Sequence, residues 1–96
     1  MVRVHSGLPK SALAFFLYIV QSTTTEKFYI GSAADVPTRV AEHNRGQSPY
    51  TRGRGPWTLV YQEEYETLSE ARRRERQLKS WKSHRSLQGL VDNAKG

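Results

Sequence analysis

The alternation of apolar and polar positions predicts a β-hairpin near the start of the chain. In the segment from Phe15 to Gln21, the residues up to Val20 are apolar on both alternating faces, which is typical of a strand that is covered on both sides. A polar turn follows, and Lys27 to Ser32 has the β-branched and aromatic content of a return strand. The two strands are therefore expected to pair in antiparallel fashion.

The loop length sets the expected register of this hairpin. If residues 22–25 form the loop, Gln21 faces Glu26 across the hairpin. The same register places Tyr18 directly opposite Tyr29, with both side chains on one face of the sheet. Two phenol groups are then expected to be neighbours.

A first helix is predicted between the hairpin and the middle of the chain. Asp35 is a suitable N-cap, Pro37 is tolerated in the first turn, and Gly46 is a typical helix terminator. Arg39 and His43 are four residues apart, so they share one face of this helix and can reach the same site.

Three further elements complete the predicted order. Residues 57–62 indicate a third strand, Ser69 is expected to cap a helix over residues 70–81, and a short helix covers residues 84–91. The order β-β-α-β-α-α predicts an α+β fold in a single domain, which we place at residues 14–92. Residues 1–13 are expected to be a mobile leader, and residues 93–96 a frayed end.

Glu75 interrupts the apolar stripe of the second predicted helix. It lies four residues after Ala71 and three before Leu78, on the face that should be buried. Burying an unpaired carboxylate is unfavourable by roughly several kcal/mol. Glu75 is therefore expected to have a partner, which is either a cation of the protein or a metal ion.

The composition indicates a polyanionic partner. The chain has 15 Lys and Arg against 9 Asp and Glu, a net charge of +6 and a pI near 10. The cations are concentrated in a loop and on the second predicted helix: Arg52, Arg54, Arg72, Arg73, Arg74, Arg76 and Lys79. They either contact backbone phosphates of a nucleic acid or form a solvated helix face.

Cysteine usage and hydropathy bear on the compartment. The chain has no cysteine, which excludes disulfides and thiolate metal sites and suits a reducing compartment. The apolar run at residues 12–20 is shorter than the roughly 20 residues that a transmembrane helix needs. We therefore expect a cytoplasmic protein.

The ordered set of motifs resembles the GIY-YIG nuclease family over about residues 14–82. The set consists of Leu17-Tyr18-Ile19-Val20, Phe28-Tyr29-Ile30-Gly31, Arg39 with His43, the loop at residues 50–56, and Glu75. The second triplet, Tyr-Ile-Gly, matches the family pattern, whereas the first is Tyr-Ile-Val in place of Gly-Ile-Tyr. The resemblance implies a three-stranded antiparallel sheet flanked by helices, and hydrolysis of phosphodiester bonds.

The resemblance also implies roles for the site residues. Glu75 would be the ligand of a divalent cation, Mg²⁺ or Mn²⁺, although a structural salt bridge to Arg39 or a neighbouring arginine is the alternative. Arg39 would hold a phosphate oxygen through its planar donor fork. Tyr18 and Tyr29 would accept a proton or orient the attacking water, in an assignment that stays open, and His43 would relay a proton or contact phosphate.

These expectations define a main hypothesis and two rivals. The main hypothesis is a metal-dependent endonuclease that cleaves DNA with low sequence specificity, in repair or processing; RNA as substrate and the oligomeric state stay open. The first rival is a non-cleaving nucleic-acid binding module, because the first triplet diverges and Ser32 stands where some relatives carry a lysine. The second is an adaptor whose basic helix docks onto an acidic protein.

Overall fold

A computed structural model describes residues 14–81 and 83–94 of the chain. It has an antiparallel three-stranded sheet in the order β2-β1-β3, flanked by helices. The predicted α+β fold and its order β-β-α-β-α-α are confirmed. The elements are β1 (Phe15–Ser22), β2 (Phe28–Ala33), α1 (Val36–Asn44), β3 (Trp57–Tyr65), α2 (Leu68–Lys79) and α3 (His84–Ala94).

The register of the β1–β2 hairpin differs from the prediction by two residues. Tyr18 pairs with Gly31, and Tyr29 pairs with Val20. The turn begins one residue later than expected because the Ser22 hydroxyl accepts the first amides of the loop, from residues 24 and 25 at 3.2 and 3.0 Å. A shift of two residues leaves every side chain on its expected face, since strand side chains alternate with period two.

The central strand β1 is covered on both faces, as its pattern predicted. On one face α1 packs over a cluster formed by Tyr18, Val20, Ala33, Val36 and Trp57. On the other face α2 and α3 cover a second cluster, which contains Leu17, Ile19, Ile30 and Leu78. Strand β2 is an edge of the sheet, so groups from both faces can meet beside it.

Strand β3 is longer than predicted and includes an acidic segment. It runs to Tyr65, and a bulge opposite Ile19 and Val20 leaves Val60 without a partner in the register. The side chain of Glu63, inside this strand, is 2% exposed. The most buried acid among the described residues is therefore Glu63 and not Glu75.

Glu63 is held by three donors that compensate for its burial. The guanidinium of Arg74 donates to both carboxylate oxygens, with Nε 3.0 Å from Oε1. The phenols of Tyr61 and Tyr65 donate at 2.5 and 2.6 Å. Burial opposes ionisation of Glu63, but these hydrogen bonds outweigh it and lower its pKa. This cluster fixes α2 to β3.

The helix ends confirm part of the prediction and correct the rest. The Asp35 carboxylate accepts the Thr38 amide at 3.1 Å, as expected of the N-cap of α1. The N-cap of α2 is Thr67 and not Ser69, because Thr67 forms a reciprocal capping box with Glu70.

The ends of the chain were only partly predictable. Helix α3 continues to Ala94, so it extends past the predicted end at residue 91 into the segment expected to fray. The predicted leader at residues 1–13 and the last two residues lie outside the described residues. Within the described ranges, none of the helices has both the length and the apolar character needed to cross a bilayer.

Candidate active site

A buried chain of hydrogen bonds links Tyr18, His43 and Thr51. The Tyr18 hydroxyl is 2.9 Å from Nε2 of His43, and Nδ1 of His43 is 2.9 Å from the Thr51 hydroxyl oxygen. The Thr51 hydroxyl donates to the carbonyl of Ser48 at 3.4 Å, so its oxygen is left to accept from Nδ1. In this arrangement Nε2 is the acceptor of the Tyr18 proton.

Thr51 is a member of the site that the sequence did not indicate. It lies in the loop at residues 50–56, beside the predicted phosphate-binding Arg52, yet it is buried. Its carbonyl accepts from the indole nitrogen of Trp57 at 3.0 Å, which ties the loop to the core. The neighbouring glycines and arginines made the segment look mobile, and no local pattern distinguishes a buried threonine from a solvated one.

Gly31 makes room for the Tyr18 ring. The two residues face each other across the hairpin, and Tyr18 is 1% exposed. A β-carbon at position 31 would lie 2.6 Å from both Cζ and the hydroxyl oxygen of Tyr18. The glycine of the Tyr-Ile-Gly triplet is therefore required by the position of the phenol.

Tyr29 completes an aromatic group around His43. Its ring centroid lies 6.5 Å from that of Tyr18 and 4.8 Å from that of His43, in an edge contact with the imidazole. The two phenols are neighbours, although diagonally across the strands and not directly opposite. The expected proximity survives the error in register because Tyr18 and Tyr29 stay on the same face.

The environment keeps both central groups uncharged. Burial raises the pKa of Tyr18, and nearby negative charge on Tyr29 would raise it further, against the opposing effect of Arg39. Burial also lowers the pKa of His43, as does the positive charge of Arg39. At neutral pH the site holds a protonated phenol and a neutral imidazole.

Arg39 stands at the exposed side of this pair. Its side chain is 52% exposed, and its Nε lies 3.7 Å from the Glu42 carboxylate. A surface ion pair of this kind contributes about 0–1 kcal/mol. The guanidinium is therefore free to exchange Glu42 for a phosphate while its charge still acts on Tyr18 and His43.

The carboxylate of Glu75 is paired, as its position on the apolar stripe of the helix predicted. Its side chain is 21% exposed, accepts from the Ser32 hydroxyl at 2.5 Å and forms a salt bridge with Lys79 at 2.6 Å. The cation is thus Lys79, one helical turn away, and not Arg39 or another arginine. Glu75 reaches β2 from the α2 side, and its charge contributes to the raised pKa of Tyr18.

The donor chemistry of Glu75 fits a hard divalent cation. In residues 14–81 and 83–94 no group of three or more His, Cys, Asp or Glu side chains is arranged to hold a metal ion. Mg²⁺, however, is often bound through one or two carboxylates together with water and substrate phosphate. Lys79 is half-exposed and Ser32 is uncharged. Either of their contacts with the Glu75 carboxylate can therefore be replaced by a contact with such an ion.

The predicted phosphate-binding cations are distributed unevenly. Arg72, Arg73 and Arg76 are exposed on α2, whereas Arg74 is committed to Glu63 and is not part of that surface. The two loop arginines stay exposed but also hold the loop: Arg52 donates to the Gly46 carbonyl at 2.9 Å, and Arg54 donates to the Tyr50 carbonyl.

The sequence is similar to a known catalytic domain and to proteins of Staphylococcus aureus. The sequence model of the GIY-YIG catalytic domain matches residues 14–88. A UPF0213 protein of Staphylococcus aureus strain Mu3 is 48% identical over 73 residues, which cover 75% of this chain and 88% of that protein. The UPF0213 protein SA0446 of strain N315 matches to the same extent.

A solved structure supports the same assignment. The solution NMR structure of the UPF0213 protein BH0048 from Bacillus halodurans is 34% identical, with a TM-score of 0.51. The alignment covers 82% of this chain and 83% of that one. The family match, these relatives and the shared fold show that the chain belongs to the GIY-YIG family.

Proposed function

We propose that this protein is a metal-dependent endonuclease that hydrolyses phosphodiester bonds in DNA with low sequence specificity, in DNA repair or processing. Membership of a nuclease family implies a nucleic-acid substrate, and GIY-YIG nucleases generally use divalent metal ions. The observation that carries the proposal is the hydrogen-bond chain from Tyr18 through His43 to Thr51, which gives a buried phenol a proton acceptor.

Tyr18 and His43 act as a proton relay in this proposal. Because its pKa is raised, Tyr18 is not a preformed phenolate, and it needs a base to accept its proton as it takes one from water. The attacking water gives a proton to the Tyr18 oxygen while the phenol proton passes to Nε2 of His43. The imidazole becomes an imidazolium, and its Nδ1–H stays bound to Thr51.

Tyr29 and Arg39 position the phosphate and the water. Tyr29 lies beside both relay groups and is only partly buried, so its hydroxyl is suited to orient the water or a phosphate oxygen. Arg39 exchanges its weak pair with Glu42 for a nonbridging phosphate oxygen. Its positive charge then stabilises the charge that develops at phosphorus.

Glu75 would hold the divalent cation, Mg²⁺ or Mn²⁺. When bound, such an ion neutralises charge on the phosphate and the departing oxygen. Lys79 stays beside Glu75 as a second positive charge. Lys79 thus places an ammonium group next to Ser32, the position at which some relatives carry a lysine.

The exposed cations hold the substrate backbone. Phosphate contacts release counterions, so they give affinity that is indifferent to sequence and sensitive to salt. The set proposed for this role consists of Arg52, Arg54, Arg72, Arg73, Arg76 and Lys79. Lys79 would contact the substrate backbone while it also pairs with Glu75.

Nicking of supercoiled plasmid in the presence of Mg²⁺ or Mn²⁺ tests the proposal. We expect wild type to nick, and Glu75→Gln and Arg39→Ala to lose at least about a hundredfold in rate. Circular dichroism and salt-dependent DNA retention should be nearly unchanged in both variants. If wild type and Glu75→Gln give equal product, the enzyme hypothesis is wrong and the non-cleaving binding module is favoured.

A further inference from the structure

A cleft of about 660 Å³ opens directly beside the candidate active site. It is bounded by the start of β2, the loop after α1 and the facing ends of α2 and α3. Its volume lies within the range of known ligand sites, roughly 300–1,000 Å³. Aromatic and cationic side chains dominate its lining: Lys27, Phe28, Tyr29, Tyr50, Lys79 and His84.

Two aromatic side chains that line the cleft, Tyr50 and His84, are exposed to solvent. Tyr50 is 64% exposed, and its ring lies 5.5 Å from that of Tyr29. His84, also exposed, stacks on Phe28 with the ring centroids 4.6 Å apart and the planes at 20°. Two aromatic pairs thus border the cleft, each with one member accessible to solvent.

The charge of the cleft complements an anion. Lys27 is exposed, and Lys79 is half-exposed at the boundary with Glu75. None of the described residues that line the cleft is acidic. Lys79 already pairs with Glu75, so an uncharged aromatic ligand would explain the rings but not the ammonium group of Lys27, whereas a nucleotide supplies both a flat base and a phosphate.

We propose that this cleft binds an unpaired nucleotide of the strand that is cut, next to the scissile phosphate. Its base stacks on Tyr50 or on the Phe28–His84 pair, and Lys27 contacts its phosphate. A paired base in a duplex has both faces covered by its neighbours, so this base must be single-stranded or extruded. The inference rests on the proposed function and deepens it by naming the substrate: DNA with an unpaired segment at the cleavage site.

Binding of labelled oligonucleotides to the wild-type chain in EDTA tests the proposal without cleavage. Three probes of the same sequence are compared: a single strand, a full duplex, and a duplex with a short bulge. A fluorescent adenine analogue in the unpaired position reports stacking by quenching. We expect the single strand and the bulge to bind more tightly than the duplex, and the analogue to be quenched on binding.

Substitution of Tyr50 identifies the stacking surface. We expect Tyr50→Ala to weaken binding of the bulged probe by about tenfold and to restore analogue fluorescence, while Tyr50→Phe keeps both. Leu59→Ala removes an exposed apolar side chain from the opposite edge strand and should change neither. Equal affinity for bulge and duplex, or a Tyr50→Ala variant that binds and quenches like wild type, would overturn the proposal.

The two proposals fail in distinguishable ways. Stacking in EDTA without any metal-dependent nicking would reject hydrolysis and leave the nucleotide cleft in place. If nicking depends on Glu75 but paired and unpaired probes bind equally well, the proposed nucleotide binding in the cleft is rejected and the proposed nuclease function stays in place.

Discussion

At the scale of single residues, the site depends on a phenol and an imidazole that are both held uncharged. Tyr18 donates to His43, and His43 is fixed by Thr51, so the direction of the proton is set before any substrate binds. Arg39 lowers the pKa of both groups, while burial raises that of Tyr18 and lowers that of His43. The relay therefore needs neutral His43 at its end.

The pH dependence of cleavage should follow His43. Its pKa lies below the usual 6.5, so the imidazole is neutral and able to accept a proton at pH 7. We expect single-turnover nicking to be constant around neutral pH and to fall on acidification, with an inflection below 6.5. A rate that falls instead as pH rises from 7 to 9 would contradict this role.

Substitution of Gly31 and of Gly89 by alanine should change the free energy of unfolding in opposite directions. In Gly31→Ala the new β-carbon meets the Tyr18 ring at 2.6 Å, and we expect a loss of about 1–3 kcal/mol in the free energy of unfolding. Gly89→Ala lies in α3 with nothing within 4 Å, and should gain about 0.5–1 kcal/mol. Urea denaturation measures both; equal values for the two variants would refute the steric argument.

At the scale of elements, α2 contacts both edge strands of the sheet through two adjacent charged residues, Arg74 and Glu75. Arg74 is bound to buried Glu63 of β3, and the next residue, Glu75, faces Ser32 of β2. The Glu63 cluster also raises the pKa of Tyr61 to about 12, mainly through burial and the hydrogen bond to the carboxylate. Attachment of α2 to β3 thus fixes where Glu75 lies.

Removing Arg74 should destabilise the fold far more than removing its neighbour. Arg74→Met leaves the Glu63 carboxylate buried without its cation, which costs about 3–5 kcal/mol. Arg73→Met removes the same charge from an exposed position and should change stability by less than about 0.5 kcal/mol. Thermal denaturation compares them, and similar melting temperatures would mean that the buried pair does not anchor α2.

Local sequence patterns predicted the helices and strands, but they did not predict the buried polar residues, whose burial depends on contacts with residues distant in sequence. Periodicity located the strands and helices, and the stripe position of Glu75 indicated its need for a partner. The burial of Glu63 was not predictable, because the cation that compensates for it lies eleven residues away on another element. Thr51 was missed for a similar reason, since its burial depends on His43 and Trp57.

At the scale of the whole molecule, the net charge of +6 acts on any polyanion that approaches. The arginines Arg72, Arg73 and Arg76 are exposed on α2, while Arg74 is withdrawn into the fold. The predicted basic face is therefore smaller than the sequence suggested.

Salt dependence of DNA binding measures this face directly. Each phosphate contact contributes about 0.9 to the slope of log affinity against log salt for a duplex. We expect Arg72→Ala and Arg76→Ala together to lower that slope by about 1–2, with a similar loss for every duplex sequence. Anisotropy titrations at several salt concentrations test this; an unchanged slope would make the arginines a solvated face only.

The central claim is that the phenol of Tyr18 takes part in breaking a phosphodiester bond. The most direct test is the single-turnover rate of plasmid nicking in Mg²⁺ or Mn²⁺ for wild type and Tyr18→Phe, which keeps the buried ring and removes its hydroxyl. We predict nicking by wild type and a loss of about a hundredfold or more in the variant, with melting temperature little changed. Equal rates would contradict the account.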